Sequence, residues 1–354
     1  MARRTALTEL LGIEHPVVQA PMAGAATPEL AAAVSAAGGL GSLGSATLPA
    51  DELVRQARAV RDATDRPFNV NFFCHRPPEL DESDAARARD RFGRLYRELG
   101  LGQPPEPSVP PTAFDEERLA ALVEIRPAVA SFQFGLPERA ALEAIREGGC
   151  RVLSSATTVA EAEHLAARGA DAVIAQGAEA GGHRGSFLVS GDDGPVGTLA
   201  LVPQVVDAVD IPVIAAGGIG DGRGLAAALC LGAAGAQIGT AFLACPETAI
   251  HPLYRDALRS ARAESTTITR AFSGRPARAL RNRAVEEVGG DPLPYPAQLS
   301  LSRALGAAAA ERGSAAFLAM WAGQAAPLVL EMPAAELVAR IVSDAEHVLA
   351  DLAH

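Results

Sequence analysis

The chain has 354 residues and a formal net charge of −11, enough for one large domain with an insertion or for two domains, and acidic enough to argue against a nucleic-acid groove or an anionic membrane surface as the main partner. Nearly half the residues (49%) are apolar, yet only 4% are aromatic, so the core is built from small side chains suited to close helix-on-strand packing. No apolar run reaches membrane-spanning length, no secretory h-region opens the chain, and Cys74, Cys150, Cys230 and Cys245 form neither a C-x-x-C pair nor a zinc spacing; the expectation is a cytoplasmic protein with reduced thiols.

A strand–helix unit repeats along the first two-thirds. Pro16 to Pro21 reads as the first strand, and Thr27-Pro28 then caps a helix to Ala37. Leu40–Gly44 is the second strand, followed by a helix over 50–62. Phe68–Phe73 is the third, followed by an Arg-rich helix from Ser83 to Leu99 and a proline-rich loop over 100–111. After a short helix over 114–124 comes the fourth strand, Ala128–Phe134, with Pro137 opening the next helix. Arg151–Ser155 and Ala172–Gln176 are the fifth and sixth strands, with a helix from Thr158 to Arg168 between them. A long glycine loop follows, then helix 199–209, the seventh strand Pro212–Ala216, helix 222–231, and an eighth strand over Ala236–Phe242.

Short strands apolar on both faces belong to a parallel sheet covered by helices. Eight of them favour a closed (β/α)8 TIM barrel over the alternative, an open doubly wound sheet. The first strand leads into Gln19-Ala-Pro-Met-Ala-Gly24 rather than a G-x-G-x-x-G turn, which argues against a dinucleotide fold. From Cys245 to Ser300 the pattern breaks into a polar, Arg-rich region read as helices and loops covering the top of the barrel. Helices over 301–311, 314–325 and 334–352 bring the chain back. The expected division is 1–244 barrel, 245–300 insertion over the active site, and 301–354 C-terminal helices packing back on the barrel.

In such a barrel the site lies at the C-terminal strand ends. There the sequence puts Gln19 and Met22, Asn69 and Asn71, Gln133, Ser154 and Ser155, Gln176, Gly181, Gly182 and His183, Gly217 and Gly218, and Gln237 to Thr240. This ring is rich in amides and glycines and holds no metal set. His183 is the candidate for chemistry, because an imidazole exchanges a proton near neutrality; a solvated loop with an incidental His-Arg pair is the plainer alternative. Gly218, Gly239 and Thr240 suit a phosphate held on backbone N–H groups, or simply close packing of small residues. Asn71 and Gln176 could match the alternating donors and acceptors of a flavin's pyrimidine edge, and Met22 could pack on its face. Cys74-His75 is a weak thiolate pair, since neighbours on a strand point opposite ways. Asp192-Asp193 and the arginines between Arg255 and Arg283 read as solvated.

Together these segments resemble the bacterial nitronate monooxygenase family, formerly called 2-nitropropane dioxygenases. The residues that carry the resemblance are Gln19 to Gly24, Asn69-Val-Asn-Phe-Phe-Cys-His75, Ala175-Gln-Gly-Ala-Glu-Ala-Gly-Gly-His-Arg-Gly185, Ala215 to Ile219 with Asp221 to Gly224, and Gln237 to Phe242. Ser273 to Arg278 and Trp321 to Gln324 match later segments. The resemblance implies non-covalent FMN held by Asn71, Gln176, Gly181, Gly218, Gln237, Ile238, Gly239 and Thr240, with Gln19 and Met22 beside it, and His183 as the catalytic histidine. It implies oxidation of alkyl nitronates such as propionate 3-nitronate by O2 to a carbonyl compound and nitrite, a detoxifying reaction that needs no NAD(P)H. Partners would be a nitronate or nitroalkane and O2, with a homo-oligomer left open. One departure concerns the substrate side: where the family leads us to expect a second tyrosine and a lysine after Tyr295, this chain has Leu299 and Arg303. The rivals are an FMN-dependent NAD(P)H reductase acting on a quinone or enoyl thioester, a non-redox barrel enzyme for a sugar phosphate, and a non-catalytic flavin-binding protein.

Overall fold

Strands apolar on both faces have no side to give to solvent. In the computed structural model, which describes residues 4–189 and 194–353, they lie between a packed barrel interior and a ring of helices. The strands are β1 (Val17–Gln19), β2 (Gly41–Gly44), β3 (Phe68–Phe73), β4 (Val129–Gln133), β5 (Arg151–Ala156), β6 (Ala172–Gln176), the two-residue β7 (Gly182–His183), β8 (Val213–Ala216) and β9 (Gly235–Ile238). All except β7 form one parallel sheet in the order β1-β9-β8-β6-β5-β4-β3-β2. A parallel bridge between Val18 and Leu40 joins its two edges, giving an eight-stranded TIM barrel.

Val18, Leu40, Leu153, Ile174 and Ile214 fill the lower interior together with Leu7 and Leu11 of the helix Ala6–Leu11. Thr5, which caps that helix, donates its hydroxyl to Ala234 O at 2.7 Å, so the N-terminal segment closes the end of the barrel remote from the site. The helix Pro28–Ala36 begins as its spacing predicts, with Thr27 Oγ1 accepting from Leu30 N at 3.1 Å. The last helix, Ala334–Asp351, lies so close to helix Gly222–Cys230 that a Cβ on Gly222 would be 2.5 Å from Ala345 N. Only glycine fits there. No helix among the described residues is long and apolar enough to cross a membrane.

Four sequence-based expectations need correction. The eighth barrel strand stops at Ile238, and Thr240–Leu243 is a helical turn; an apolar run this short has no period that separates strand from helix. The helix after β4 starts at Arg139, two residues past Pro137. The insertion contains β10 (Thr266–Thr269) and β11 (Ala277–Leu280), which pair antiparallel with each other, and β11 also pairs with β7. Four-residue strands rich in Thr and Arg carry almost no hydrophobic alternation, so they were invisible in the sequence. Finally, 314–325 is not a helix. It runs as turns, with Trp321 bridged to Ala279; that pairing overrides the helical propensity of its alanines.

The cover over the barrel has its own core. Phe92, Leu95 and Tyr96 of helix Glu82–Glu98 pack with Phe272, Leu301, Leu305 and Phe317. Tyr96 donates its hydroxyl to Leu301 O at 2.7 Å. This core fixes the hairpin of β10 and β11, and through β7 it fixes the residue next described.

Candidate active site

A cavity of about 520 Å³ opens at the C-terminal ends of the barrel strands, beneath the cover. Met22, Asn71, Gln176, Gly181, His183, Gly218, Gln237, Gly239 and Thr240 all line it. Gln19 and Ile238 are not among its lining residues. Gln19 is fully buried in the barrel wall, where its Oε1 accepts from Ser42 N at 2.7 Å and its Nε2 bonds Ala20 O. Ile238 follows the cavity-lining Gln237, so its side chain turns the other way into the strand–helix core.

His183 is positioned from both sides. Its backbone pairs with Ala277 of β11. Its carbonyl accepts from Gln176 Nε2 at 3.0 Å and from Gln133 Nε2 at 3.2 Å, while Gln176 Oε1 accepts from Gly185 N at 2.7 Å. Gln176 therefore shapes the loop as well as lining the cavity. The imidazole Nε2 lies 2.8 Å from Ser273 Oγ. Tyr295 and Trp321 flank the ring at centroid distances of 5.3 and 5.2 Å, and Phe73 and Phe134 stand at 6.1 Å. Burial among these rings, reinforced by Arg275 and His75, brings the His183 pKa down to about 3. It is a neutral imidazole at working pH.

The loop carrying His183 is held by charged side chains bonded to its backbone and its neighbours. Arg184 Nη1 donates to Gly177 O at 2.6 Å, and Arg278 Nε donates to Ala178 O at 2.9 Å. Glu161, fully buried, accepts from Thr157 N, Thr157 Oγ1, Phe187 N and Leu188 N at 2.6–3.0 Å. Glu179 accepts from Thr198 N and Oγ1 at 2.9 and 2.8 Å. Arginine beside the histidine is thus a backbone clamp and not a surface pair.

Other side chains lie around the imidazole or along the strand ends, among them Arg275, which the sequence did not single out as a site residue. Arg275 stacks its guanidinium 3.8 Å above the Phe134 ring and donates to Ser186 O; burial lowers its pKa to about 10. His75 packs against the Tyr295 ring at 4.7 Å. The Cys74 thiol beside it is pushed well up by burial, which leaves no thiolate pair. Asn69 and Asn71 face one side as alternation requires, both reaching Ser131 Oγ, at 2.9 and 3.0 Å. Ser154 donates to Phe132 O and Gly135 O and is committed to the barrel wall. In the insertion, Arg259 pairs with Glu331 and Arg283 with Glu98 at the surface. Arg223 pairs with Asp221 and lies away from the cavity. Asp192-Asp193 lies outside the described residues.

The rest of the cavity is a backbone cradle. Gly181 and Gly323 pass so closely that a Cβ on Gly181 would lie 2.5 Å from Gly323 N, and one on Gly323 would lie 2.6 Å from Glu179 O. Thr240 Oγ1 accepts from Gly323 N at 2.9 Å, which ties the turn after β9 to the 321–324 segment. Gln237 Oε1 is buried with no hydrogen-bond partner. A buried amide oxygen facing a cavity without a donor marks where a bound group should supply one. The large cavity, the orphaned acceptor and the glycine cradle suit a planar, hydrogen-bonding cofactor with a phosphate tail.

A family model for nitronate monooxygenase matches residues 4–344. A nitronate monooxygenase of Pseudomonas aeruginosa is 48% identical over 346 residues, covering 95% of this chain and 98% of the relative. Another, from Paraburkholderia phytofirmans, is 46% identical over 345 residues, covering 96% and 94%. Among solved structures, a nitroalkane oxidase from Streptomyces ansochromogenes superimposes with a TM-score of 0.92 at 40% identity, over 98% of this chain and 100% of that one. With the barrel, the histidine on its glycine loop and this likeness along almost its whole length, the chain belongs to the nitronate monooxygenase family and is an oxidoreductase.

Proposed function

We propose that the protein oxidises alkyl nitronates, propionate 3-nitronate among them, with O2 to a carbonyl compound and nitrite, using non-covalently held FMN. The observation that carries the reading is His183, a neutral imidazole fixed at both backbone and side chain and facing a cavity walled by aromatic rings. Asn71, Gln176 and Gln237 would meet the polar edge of the flavin, Met22 its face, and the backbone N–H groups near Gly218, Gly239 and Thr240 its phosphate. Bound there, FMN supplies the electron acceptor that O2 reoxidises. On the same reading 1–244 is the cofactor-binding barrel, 245–300 the cover, and 301–354 the return onto the barrel.

The chain's own residues divide the remaining work. A nitronate has already lost its α-proton, so His183 holds the anion by a hydrogen bond to a nitronate oxygen rather than acting as a base. With a neutral nitroalkane, the same unprotonated imidazole accepts the α-proton. Ser273 can donate to Nε2 or accept from it, which lets the ring change tautomer between these two tasks. Phe73, Phe134, Tyr295 and Trp321 exclude water around the ring and strengthen each polar contact within. His183→Asn tests the reading: turnover of propionate 3-nitronate should fall while the purified protein keeps its flavin. Unchanged turnover of both nitronate and nitroalkane removes His183 from the role.

A further inference from the structure

The hydroxyl that meets the His183 ring has three polar neighbours and a single proton to share among them. Ser273 Oγ lies 2.8 Å from His183 Nε2. It also accepts from Arg275 N at 3.3 Å and donates to Arg275 O at 3.4 Å. Ser273 is fully buried, in the turn between β10 and β11, and its chain neighbours hold that turn in place. Phe272 O accepts from Ser302 Oγ at 2.5 Å, and a Cβ on Gly274 would collide with Leu293 O. The other ring nitrogen of His183, Nδ1, has no hydrogen-bond partner among the described residues. Unlike Nδ1 of His15 and of His75, it is not sealed off; it is open to the cavity that His183 lines.

We propose that Ser273 is a positioning residue that keeps the His183 proton on Nε2 and so presents a bare Nδ1 lone pair to the substrate, setting the resting site for neutral nitroalkanes; the inference rests on the nitronate reading. A hydroxyl has one proton and two lone pairs. If His183 Nε2–H donates to Oγ, the Ser273 proton goes to Arg275 O and the second lone pair takes Arg275 N–H, so all three neighbours are satisfied. If Ser273 donates to a bare Nε2 instead, Arg275 O loses its donor. The first arrangement makes one more bond, inside a buried turn where a bond left unmade is costly. The ring is neutral, so a proton on Nε2 leaves Nδ1 bare. A nitroalkane then meets a base: the α-C–H bond breaks, the proton passes to Nδ1, and the C–H electron pair moves onto the nitro group to give the nitronate. The imidazolium formed in that step donates Nδ1–H to the nitronate it has just made. A preformed nitronate instead brings its negative charge against the lone pair, and must turn the tautomer over at the cost of the bond from Ser273 to Arg275 O.

The test uses the full-length, flavin-loaded protein. Nitrogen NMR of wild type with isotope-labelled histidines, the His183 signals being identified by their loss in His183→Asn, should show a protonated Nε2 and an unprotonated Nδ1 at neutral pH. Ser273→Ala should reverse this, because a proton on Nε2 would then be a buried donor without an acceptor and moves to Nδ1. With the base capped, Ser273→Ala should lower kcat/KM for nitroethane by about 10-fold or more. For ethylnitronate, which shares the carbon skeleton and needs a donor, kcat/KM should hold or rise. Loss of packing alone would lower both. A proton on Nδ1 in the wild type, or an equal fall for the two substrates in Ser273→Ala, overturns the inference, and the wild-type spectrum decides it even if the variant does not fold. A flavin-loaded wild type that oxidises neither compound overturns the nitronate reading instead, and the spectrum still decides the tautomer.

Discussion

His183 and His75 have pKa values held near 3 and 4 against an ordinary value of 6.5. In the unfolded chain both protonate as pH falls through about 6.5, while in the folded chain neither does until much lower. The stability that each contributes as a neutral group is therefore complete above pH 6.5 and is lost as pH falls toward 3–4. Each adds up to about 1.4 kcal/mol per pH unit across that window. Denaturant unfolding of wild type and His75→Gln at pH 7 and pH 4.5 checks this: the variant should lose less stability on acidification, and equal losses would contradict the assignment. In turnover, His183→Asn should cost about 10²-fold or more, the usual range for an acid–base or hydrogen-bonding group. His183 could be found from sequence because an imidazole among glycines, directly after an apolar run, is chemically conspicuous. Ser273 could not: it lies 90 positions further on, in a polar segment with no period, and only the pairing of β7 with β11 brings it to the ring.

At the scale of elements, the loop between β6 and β7 is the critical piece, and its geometry depends on absent side chains. Gly181→Ala would drive a Cβ to within 2.5 Å of Gly323 N, and neither backbone has a flexible end that can move away. The expected result is a loss of about 1–3 kcal/mol in stability and a lower flavin content on purification; Gly290→Ala, where a Cβ meets nothing within 4 Å, is the control. Equal flavin content in the two variants would contradict the cradle. The barrel strands were legible because their apolar runs are continuous and bounded by turn residues. The hairpin β10–β11 and the non-helical 314–325 segment were not, since their conformation is set by pairing with distant backbone and not by local propensity. The direction of the Gln19 side chain was not legible either: residue type at a strand end says nothing about which wall the side chain enters.

For the whole molecule, a net charge of −11 surrounds a cavity whose lining, among the described residues, includes Arg303 but only one carboxylate, Glu179, and that one is bound to Thr198. An anionic substrate can thus be drawn in against the sign of the overall charge. Arg303 stands at the cavity where the family resemblance leads us to expect a lysine. Arg303→Met should raise KM for propionate 3-nitronate about 10-fold, through loss of a contact to its carboxylate, and leave ethylnitronate nearly unaffected. Equal effects on the two substrates would show that Arg303 does not read the second charge. The most direct test of the central claim is an anaerobic absorbance spectrum of the purified protein, first with NADH and then with propionate 3-nitronate. The oxidised-flavin band should survive NADH and be lost on addition of the nitronate; loss with NADH and persistence with the nitronate would contradict the account.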